Sequence, residues 1–161
     1  AIEGALVQMI SHGVVSAALF SVVGVSYDRM HTKEISHYGG VITKMPMFAF
    51  VFLVFTMASI GLPGTSGFIG EMLVIVGAYQ VSSFYAMLAA TSLILGAVYM
   101  LWLYKRVMLG EVTNNKVSEL KDLTCKEWLV FMPLLILTIL LGIYPSIITE
   151  VMHVPVLGLL K

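Results

Sequence analysis

The sequence predicts an all-α fold, a polytopic transmembrane helical bundle with four crossings, one of which is a discontinuous helix. Hydrophobic residues make up 59% of the chain and charged residues 11%, whereas an average soluble domain has roughly 25% charged residues. The charges lie in short stretches between apolar runs that are long enough to cross a hydrocarbon core of about 30 Å. One of those runs contains a Pro-Gly pair, which predicts the break.

The first crossing is predicted over residues 4–27, where His12 is the only side chain that titrates near neutral pH. Small residues on one side of this helix predict a close-packing face, and they are Gly13, Ser16, Ala17 and Gly24. A charged connection with a Gly-Gly pair follows up to Lys44. The chain starts at Ala1 without a basic segment that is followed by a cleavage site, so we expect no signal peptide. The missing initiator Met indicates a processed or partial chain.

The second crossing is predicted over residues 45–81. Its break is placed at Pro63, Gly64, Thr65 and Ser66. Proline removes a backbone donor and clashes with the preceding turn, and glycine adopts dihedral angles that other residues avoid. Thr65 or Ser66 can then cap a second helical piece. The two pieces hold about 32 helical residues, or ~48 Å at ~1.5 Å per residue, which requires tilt or overhang in the bilayer.

The third crossing is predicted over residues 83–106 and ends in an aromatic and basic anchor typical of a membrane interface. The residues of this anchor are Trp102, Tyr104, Lys105 and Arg106. The polar residues 110–127 predict a surface loop. The fourth crossing is predicted over residues 127–149, and a short amphiphilic tail runs from there to Lys161.

Charge counting predicts that residues 45–81 cross the membrane once rather than twice. With one crossing, the loops at residues 28–45 and 105–127 share a side that carries eight of the nine Lys and Arg residues. With two crossings, the loops fall on opposite sides and this bias nearly vanishes. Because basic loops stay on the cytoplasmic side, or on the matrix side of a mitochondrion, one discontinuous crossing is favoured.

Glu71 is the main candidate functional residue, because it is the only charged side chain between Met45 and Tyr104. A carboxylate at membrane depth costs roughly 2.5 kcal/mol or more on insertion scales, so it is a functional hypothesis by default. A broken transmembrane helix survives where it is buried or lines a polar cavity, and it recurs at ion and proton sites of transporters. We therefore predict that Glu71 carries protons. The alternative is a glutamate at the membrane interface.

Two further residues are candidates for the same proton pathway. His12 lies inside an apolar span and suits a relay, and its alternative role is to donate to a carbonyl of a neighbouring helix. Lys105 either marks the exit of the path or is a snorkelling anchor. We predict no catalytic, cofactor-binding or metal-binding residue, since the chain has a single cysteine and its loop histidines are isolated. A zero net charge without a basic face also predicts no nucleic-acid partner.

Several strings along the chain carry a family resemblance. They are Leu6-Val-Gln-Met-Ile-Ser-His12-Gly, Tyr27-Asp-Arg-Met-His31-Thr, Gly39-Gly40, Leu62-Pro-Gly-Thr-Ser-Gly-Phe-Ile-Gly-Glu71 and Tyr104-Lys-Arg. With them, nearly the whole chain resembles the C-terminal part of NADH dehydrogenase (ubiquinone) subunit 4, an antiporter-like membrane subunit of respiratory complex I. The resemblance implies that residues 1–161 are the last four spans of such a subunit. It also implies that Glu71 matches the terminal carboxylate of a proton channel and His12 a histidine on its central polar axis.

The function implied by the resemblance is that of a proton-translocating membrane-arm component of complex I, NADH:ubiquinone oxidoreductase, which contributes the distal part of a proton channel. NADH, FMN, iron–sulfur clusters and ubiquinone are then bound by other subunits, and this chain performs no redox chemistry. The implied location is the mitochondrial inner membrane, or alternatively a bacterial plasma membrane. The rival hypotheses are a subunit of a related cation/proton antiporter or membrane-bound hydrogenase, and a non-conducting structural bundle.

The chain lacks the motifs of the family's N-terminal half, which include an intramembrane Glu, a central Lys and a His-x-Trp-Leu-Pro string. The resemblance therefore implies a split or fragmentary subunit. The expected partners are a polypeptide that carries the N-terminal half, other membrane-arm subunits of complex I, and the lipid bilayer.

Overall fold

The computed structural model describes residues 2–159, and within them the chain is helical with short connections and no β-strand. The helices are α1 (Ile2–Met30), α2 (Pro46–Ser59), α3 (Ser66–Val81), α4 (Ser83–Met108), α5 (Asn115–Ser118), α6 (Cys125–Ile143) and α7 (Ser146–Leu159). Two 3-10 turns, Ile35–His37 and Val41–Thr43, lie between α1 and α2. Among the described helices, α1, α4 and α6 are long and apolar enough to cross a membrane, and α2 and α3 are shorter apolar helices. The predicted all-α polytopic bundle is confirmed.

The helix break overlaps the predicted residues 63–66, but it begins earlier, and Ser66 already belongs to the next helix. The helix α2 ends at Ser59 and α3 begins at Ser66, so the break covers residues 60–65. Gly61 and Gly64 both have positive φ angles, 78° and 92°, which only glycine adopts without strain. The backbone therefore already reverses at Gly61, before the proline at which the break is predicted to start.

The helices α2 and α3 pack one after the other along the same neighbouring helix, α1. The helix α1 passes α3 first, with Gly4 beside Leu73 and Ser11 beside Ser66. It ends beside the start of α2, where Met30 and Met45 share one buried cluster. Because one 29-residue helix lies beside both pieces, they are stacked end to end as in one discontinuous helix.

The helix α4 runs antiparallel along the other side of the same stack. Near its C-terminus, the Tyr104 hydroxyl donates to the carbonyl oxygen of Ala49 in α2 at 3.1 Å. One to three turns earlier, Ile94 and Leu101 of α4 line a crevice with Met72 of α3. The order of these contacts reverses the order of α2 and α3, which agrees with the stacking seen along α1.

The core surrounds α2, whose buried side chains include three phenylalanines. Phe48, Phe52 and Phe55 recur at intervals of three and four residues and lie on the face directed to α1, α4 and α6. Phe55 packs against Phe131 of α6, with ring centroids 6.4 Å apart. Within a bilayer such contacts stabilise the bundle by close packing rather than by removal from water.

The packing face of α1 differs from the one that the sequence analysis chose. Gly4, Ser11 and Ala18, seven residues apart, are buried against the rest of the bundle. On the predicted face, a side-chain carbon added at Gly13 or Gly24 would meet no atom of the described chain within 4 Å. Both faces carry small residues at helical spacing, and spacing alone does not tell which face meets a helix of this chain.

The two basic loops meet at one end of the bundle, which we call the loop end. The Gly40 amide donates to the Leu109 carbonyl at 3.1 Å, and the Asn114 side-chain amide donates to the His37 carbonyl at 3.1 Å. These contacts place the two loops at the same end of the bundle. That they share one side of a membrane, as charge counting predicts, stays a prediction.

The last part of the chain departs from the prediction of a crossing up to residue 149. The helix α6 ends at Ile143, because Tyr144 leaves the helical conformation and Pro145 follows. The predicted tail instead forms α7, which contacts α1 through a 2.7 Å contact between His153 Nδ1 and Glu3 Oε1. Lys161, the one basic residue assigned to the opposite side, lies outside the described residues.

Candidate functional site at the helix break

Glu71 lies one and a half turns into α3, and its carboxylate points back to the break. The Gln8 side-chain amide donates to Glu71 Oε1 at 3.3 Å. The other oxygen, Oε2, is buried and has no hydrogen-bond partner in the described part of the chain. The carboxylate is therefore held by one neutral donor from α1 and is not neutralised by a cation.

Gly61 in the break makes room for this carboxylate. A side-chain carbon added at Gly61 would collide with Oε2 of Glu71. Since Gly61 also has a φ of 78°, both the backbone and the space beside it require glycine. The break and the acid are therefore one structural unit, in which the backbone reversal positions the carboxylate.

An open crevice of about 480 Å³ lies on the α4 side of Glu71. It is lined by Ile60, Gly61, Phe68, Glu71, Met72, Leu93, Ile94, Ala97, Val98 and Leu101. Glu71 is the only ionisable member of this lining. A protonatable group therefore faces an otherwise apolar crevice that opens to the surroundings of the described chain.

Side-chain hydroxyl groups lie beside the break on the side that faces α1. Ser11 Oγ donates to Ser66 Oγ at 2.7 Å, and both side chains are buried. Thr56, in the last turn of α2, is fully buried, and its hydroxyl oxygen has no partner among the described residues. Side-chain hydroxyls both donate and accept hydrogen bonds, so these groups can transfer a proton or orient water near the break.

The four predicted break residues divide into an exposed pair and a buried pair. Pro63 and Gly64 are exposed, whereas Thr65 and Ser66 are buried. Thr65 occupies the cap position of α3, but its hydroxyl donates to the Leu62 carbonyl at 2.7 Å rather than capping the helix. A side-chain carbon at Gly142 of α6 would overlap the Thr65 backbone, so α6 packs directly on the break.

The structure does not bring His12 or Lys105 into contact with Glu71. His12 is exposed on α1, one turn nearer to the loop end than Gln8, and Lys105 is exposed in the last turn of α4. Within residues 2–159, neither side chain makes a hydrogen bond or an ion pair. Their roles in a proton path stay predictions.

Sequence reasoning missed Gln8, Ser11 and Gly61 as parts of the site. Gln8 and Ser11 are polar residues three apart in an apolar helix, a spacing that places them on one face. This spacing is the signal by which the sequence could have identified them. As for metals, no group of three or more His, Cys, Asp or Glu side chains lies together in the described residues.

Discontinuous helices recur at the ion and substrate sites of membrane transporters. The family model described as NADH:quinone oxidoreductase/Mrp antiporter, TM, matches residues 1–96. The chain belongs to this family, and the resemblance drawn from its motifs is confirmed.

Individual relatives match nearly the whole chain. It is 50% identical to NADH-quinone oxidoreductase subunit M of Rhodobacter capsulatus, over 92% of this chain and 29% of the relative. It is 48% identical to NADH-ubiquinone oxidoreductase chain 4 of Marchantia polymorpha, over 99% of this chain and 32% of the relative. The chain thus spans about a third of the length of these relatives.

A solved structure shares the fold. The chain is similar to a chain of the structure described as respiratory complex I from Thermus thermophilus with bound NADH, with a TM-score of 0.81 and 36% identity. The match covers 91% of this chain and 30% of that chain. The stacked α2 and α3 therefore belong to a fold that this family shares.

Proposed function

We propose that the chain is the C-terminal part of a proton-translocating, antiporter-like membrane subunit of respiratory complex I, where it supplies the distal part of a proton channel. The observation that carries this proposal is the partly buried Glu71 carboxylate, held by Gln8 at the helix break. Relatives named as subunit M and chain 4 of NADH oxidoreductases support it. As a whole, the complex is an NADH:ubiquinone reductase.

In this mechanism Glu71 is the last proton carrier of the channel. A proton from the loop end reaches the break along the hydroxyl groups of Ser11 and Ser66, with His12 as a relay on the same helix. Glu71 takes up the proton and releases it towards the end of the bundle opposite the loops. The position of Glu71 beyond the break, as seen from the loop end, supports this direction.

The proposed partners supply what the chain does not carry. Another polypeptide, or another part of the same subunit, contributes the N-terminal spans that begin the channel, and further membrane-arm subunits transmit the redox energy. Oxidation of NADH and reduction of ubiquinone, with FMN and iron–sulfur clusters, take place in other subunits. This chain then contributes only proton movement to the enzyme.

The proposed location is the mitochondrial inner membrane, with a bacterial plasma membrane as the alternative. Relatives occur in both settings, in plants such as Marchantia polymorpha and in bacteria such as Rhodobacter capsulatus. The basic loop end faces the matrix or the cytoplasm, as expected from the positive-inside rule.

A subunit of a cation/proton antiporter is the second candidate, because the family description also names Mrp antiporters. Vesicles containing the complete native assembly distinguish the two functions. We expect proton translocation that requires NADH oxidation and is indifferent to sodium, together with copurification of subunits that bind NADH. Sodium-driven proton exchange without NADH would instead assign the chain to an antiporter.

The proposed sidedness is tested by cysteine labelling. In a Cys125→Ser background, Ser36→Cys and Ser118→Cys place exposed thiols on the two loops of the loop end. We expect an impermeant maleimide to label both from the matrix or cytoplasmic side only. Ser83→Cys, at the exposed start of α4 at the other end of the bundle, is expected to react only from the opposite side. Labelling of the two loops from different sides would refute the single discontinuous crossing.

A further inference from the structure

Gln8 has an unusual relation to Glu71. Its amide nitrogen is the donor to Glu71 Oε1 at 3.3 Å, and its own Oε1 is buried without a partner within residues 2–159. Two buried acceptor atoms, Gln8 Oε1 and Glu71 Oε2, therefore belong to side chains that already touch. Buried polar atoms normally have partners, and such a pair needs a reason.

We propose that Gln8 is a positioning residue that stabilises Glu71 in both of its protonation states; this inference rests on the proposed role of Glu71 as a proton carrier. When Glu71 is ionised, the Gln8 amide N–H donates to the carboxylate. When Glu71 is protonated, its new O–H donates to Gln8 Oε1. A carboxamide has both a donor and an acceptor, so one side chain serves the acid before and after proton uptake.

Packing fixes the Gln8 stem and leaves only its terminal group to turn. A side-chain carbon added at Gly70, the residue before Glu71, would lie 2.8 Å from Gln8 Cα. The helices α1 and α3 are therefore in close contact at Gln8, which keeps its side chain beside Glu71. Rotation about the last side-chain torsion of glutamine is broad, so exchange of donor and acceptor needs no movement of either helix.

No charged side chain competes with Gln8 for this role in the described chain. Glu71 is the only ionisable residue of the crevice on its α4 side, and on its α1 side the groups near the break are the hydroxyls of Ser11 and Ser66. A neutral partner suits a proton carrier, because a fixed cation would hold the carboxylate in its ionised form.

The test replaces Gln8 by methionine, which has similar length and no amide, in the assembled complex. We expect NADH-driven proton translocation to slow about tenfold, the equivalent of ~1.4 kcal/mol for one hydrogen bond. In redox-induced infrared difference spectra, the carbonyl band of protonated Glu71, identified by its loss in Glu71→Gln, is expected to move to higher frequency. Gln80→Met at the exposed end of α3 is the matched control and should leave both readouts unchanged.

Two results would overturn the inference. One is a wild-type rate in Gln8→Met, and the other is a slow rate with an unmoved carbonyl band, which would mean that Gln8 only packs. Gln8→His, which keeps a donor and an acceptor, is expected within about twofold of wild type. If Gln8→Met does not assemble, a tenfold loss in Gln8→His with an unmoved band overturns it as well. Normal translocation by Glu71→Gln would instead reject the proposed function and the inference together.

Discussion

Replacing Glu71 by glutamine is expected to reduce NADH-driven proton translocation by the assembled complex roughly a hundredfold or more, because a positioned proton-transfer group typically contributes about 10²–10⁴-fold to the rate. Glutamine has nearly the same shape as glutamate, so it occupies the space left by Gly61 and still meets Gln8. It cannot take up and release a proton, however. The variant therefore removes the chemistry while the packing at the break is kept.

Translocation is measured as acidification or alkalisation of vesicles that contain the purified complex, with the level of assembled complex determined in parallel. Glu119→Gln, in the exposed segment that follows α5, is the matched control and is expected to translocate protons normally. Normal assembly with unchanged translocation in Glu71→Gln would remove this residue from the path. His12→Met in the same assay separates a relay from a packing role, since a merely structural histidine would leave the rate unchanged.

The approximate position of the break and of Glu71 could be predicted from the sequence, because both are exceptions to the local pattern of an apolar transmembrane helix. Pro63 and Gly64 interrupt an apolar helix, and Glu71 is a charge where neighbouring residues have none. Such exceptions concentrate at functional sites, where local preferences give way to chemistry. Charge counting also placed the two basic loops on one side, because the positive-inside rule acts on the whole chain rather than on one helix.

The residues that contact Glu71 could not be predicted from the sequence, because these contacts depend on the register between helices. Whether Gln8 or His12 faces α3 is decided by a rotation of α1 by a fraction of a turn. His12, an obvious titratable group, is visible in the sequence as a relay candidate, whereas Gln8, which the structure places beside the acid, is not. Likewise, the space at Gly61 is visible only once α3 folds back on the break.

Arg29→Gln is expected to lower the free energy of unfolding by about 2–4 kcal/mol, because it breaks a hydrogen-bonded ion pair that is largely withdrawn from water. Both Arg29 nitrogens Nη1 and Nη2 donate to the two oxygens of Glu127, at 2.7 and 2.8 Å. The two side chains are only 15% and 22% exposed. The guanidinium also donates to the carbonyls of Lys121 and Asp122 at 3.0 and 3.3 Å, so it ties the end of α1 to the chain that leads into α6.

The matched control is Arg106→Gln, an exposed cation at the same end of the bundle that lies over the Trp102 ring at 5.0 Å. Such an exposed contact is worth about 0.5–1 kcal/mol, so its loss should be small. The measurement is thermal unfolding of the assembled complex, monitored through this subunit. Equal shifts for the two variants would contradict a special role of the Arg29 pair.

Substitution of Glu127, the partner of Arg29, shows how much of the loss of unfolding free energy is due to charge. Glu127 also completes a capping box with Thr124 at the start of α6, and a glutamine retains an oxygen for that role. Glu127→Gln is therefore expected to lose the ion pair but keep the cap. The double variant Arg29→Gln with Glu127→Gln should lose less unfolding free energy than the two single variants lose together, because neither member of the ion pair is left without its partner. Strict additivity would mean that Arg29 and Glu127 contribute separately and that the backbone contacts of Arg29 dominate.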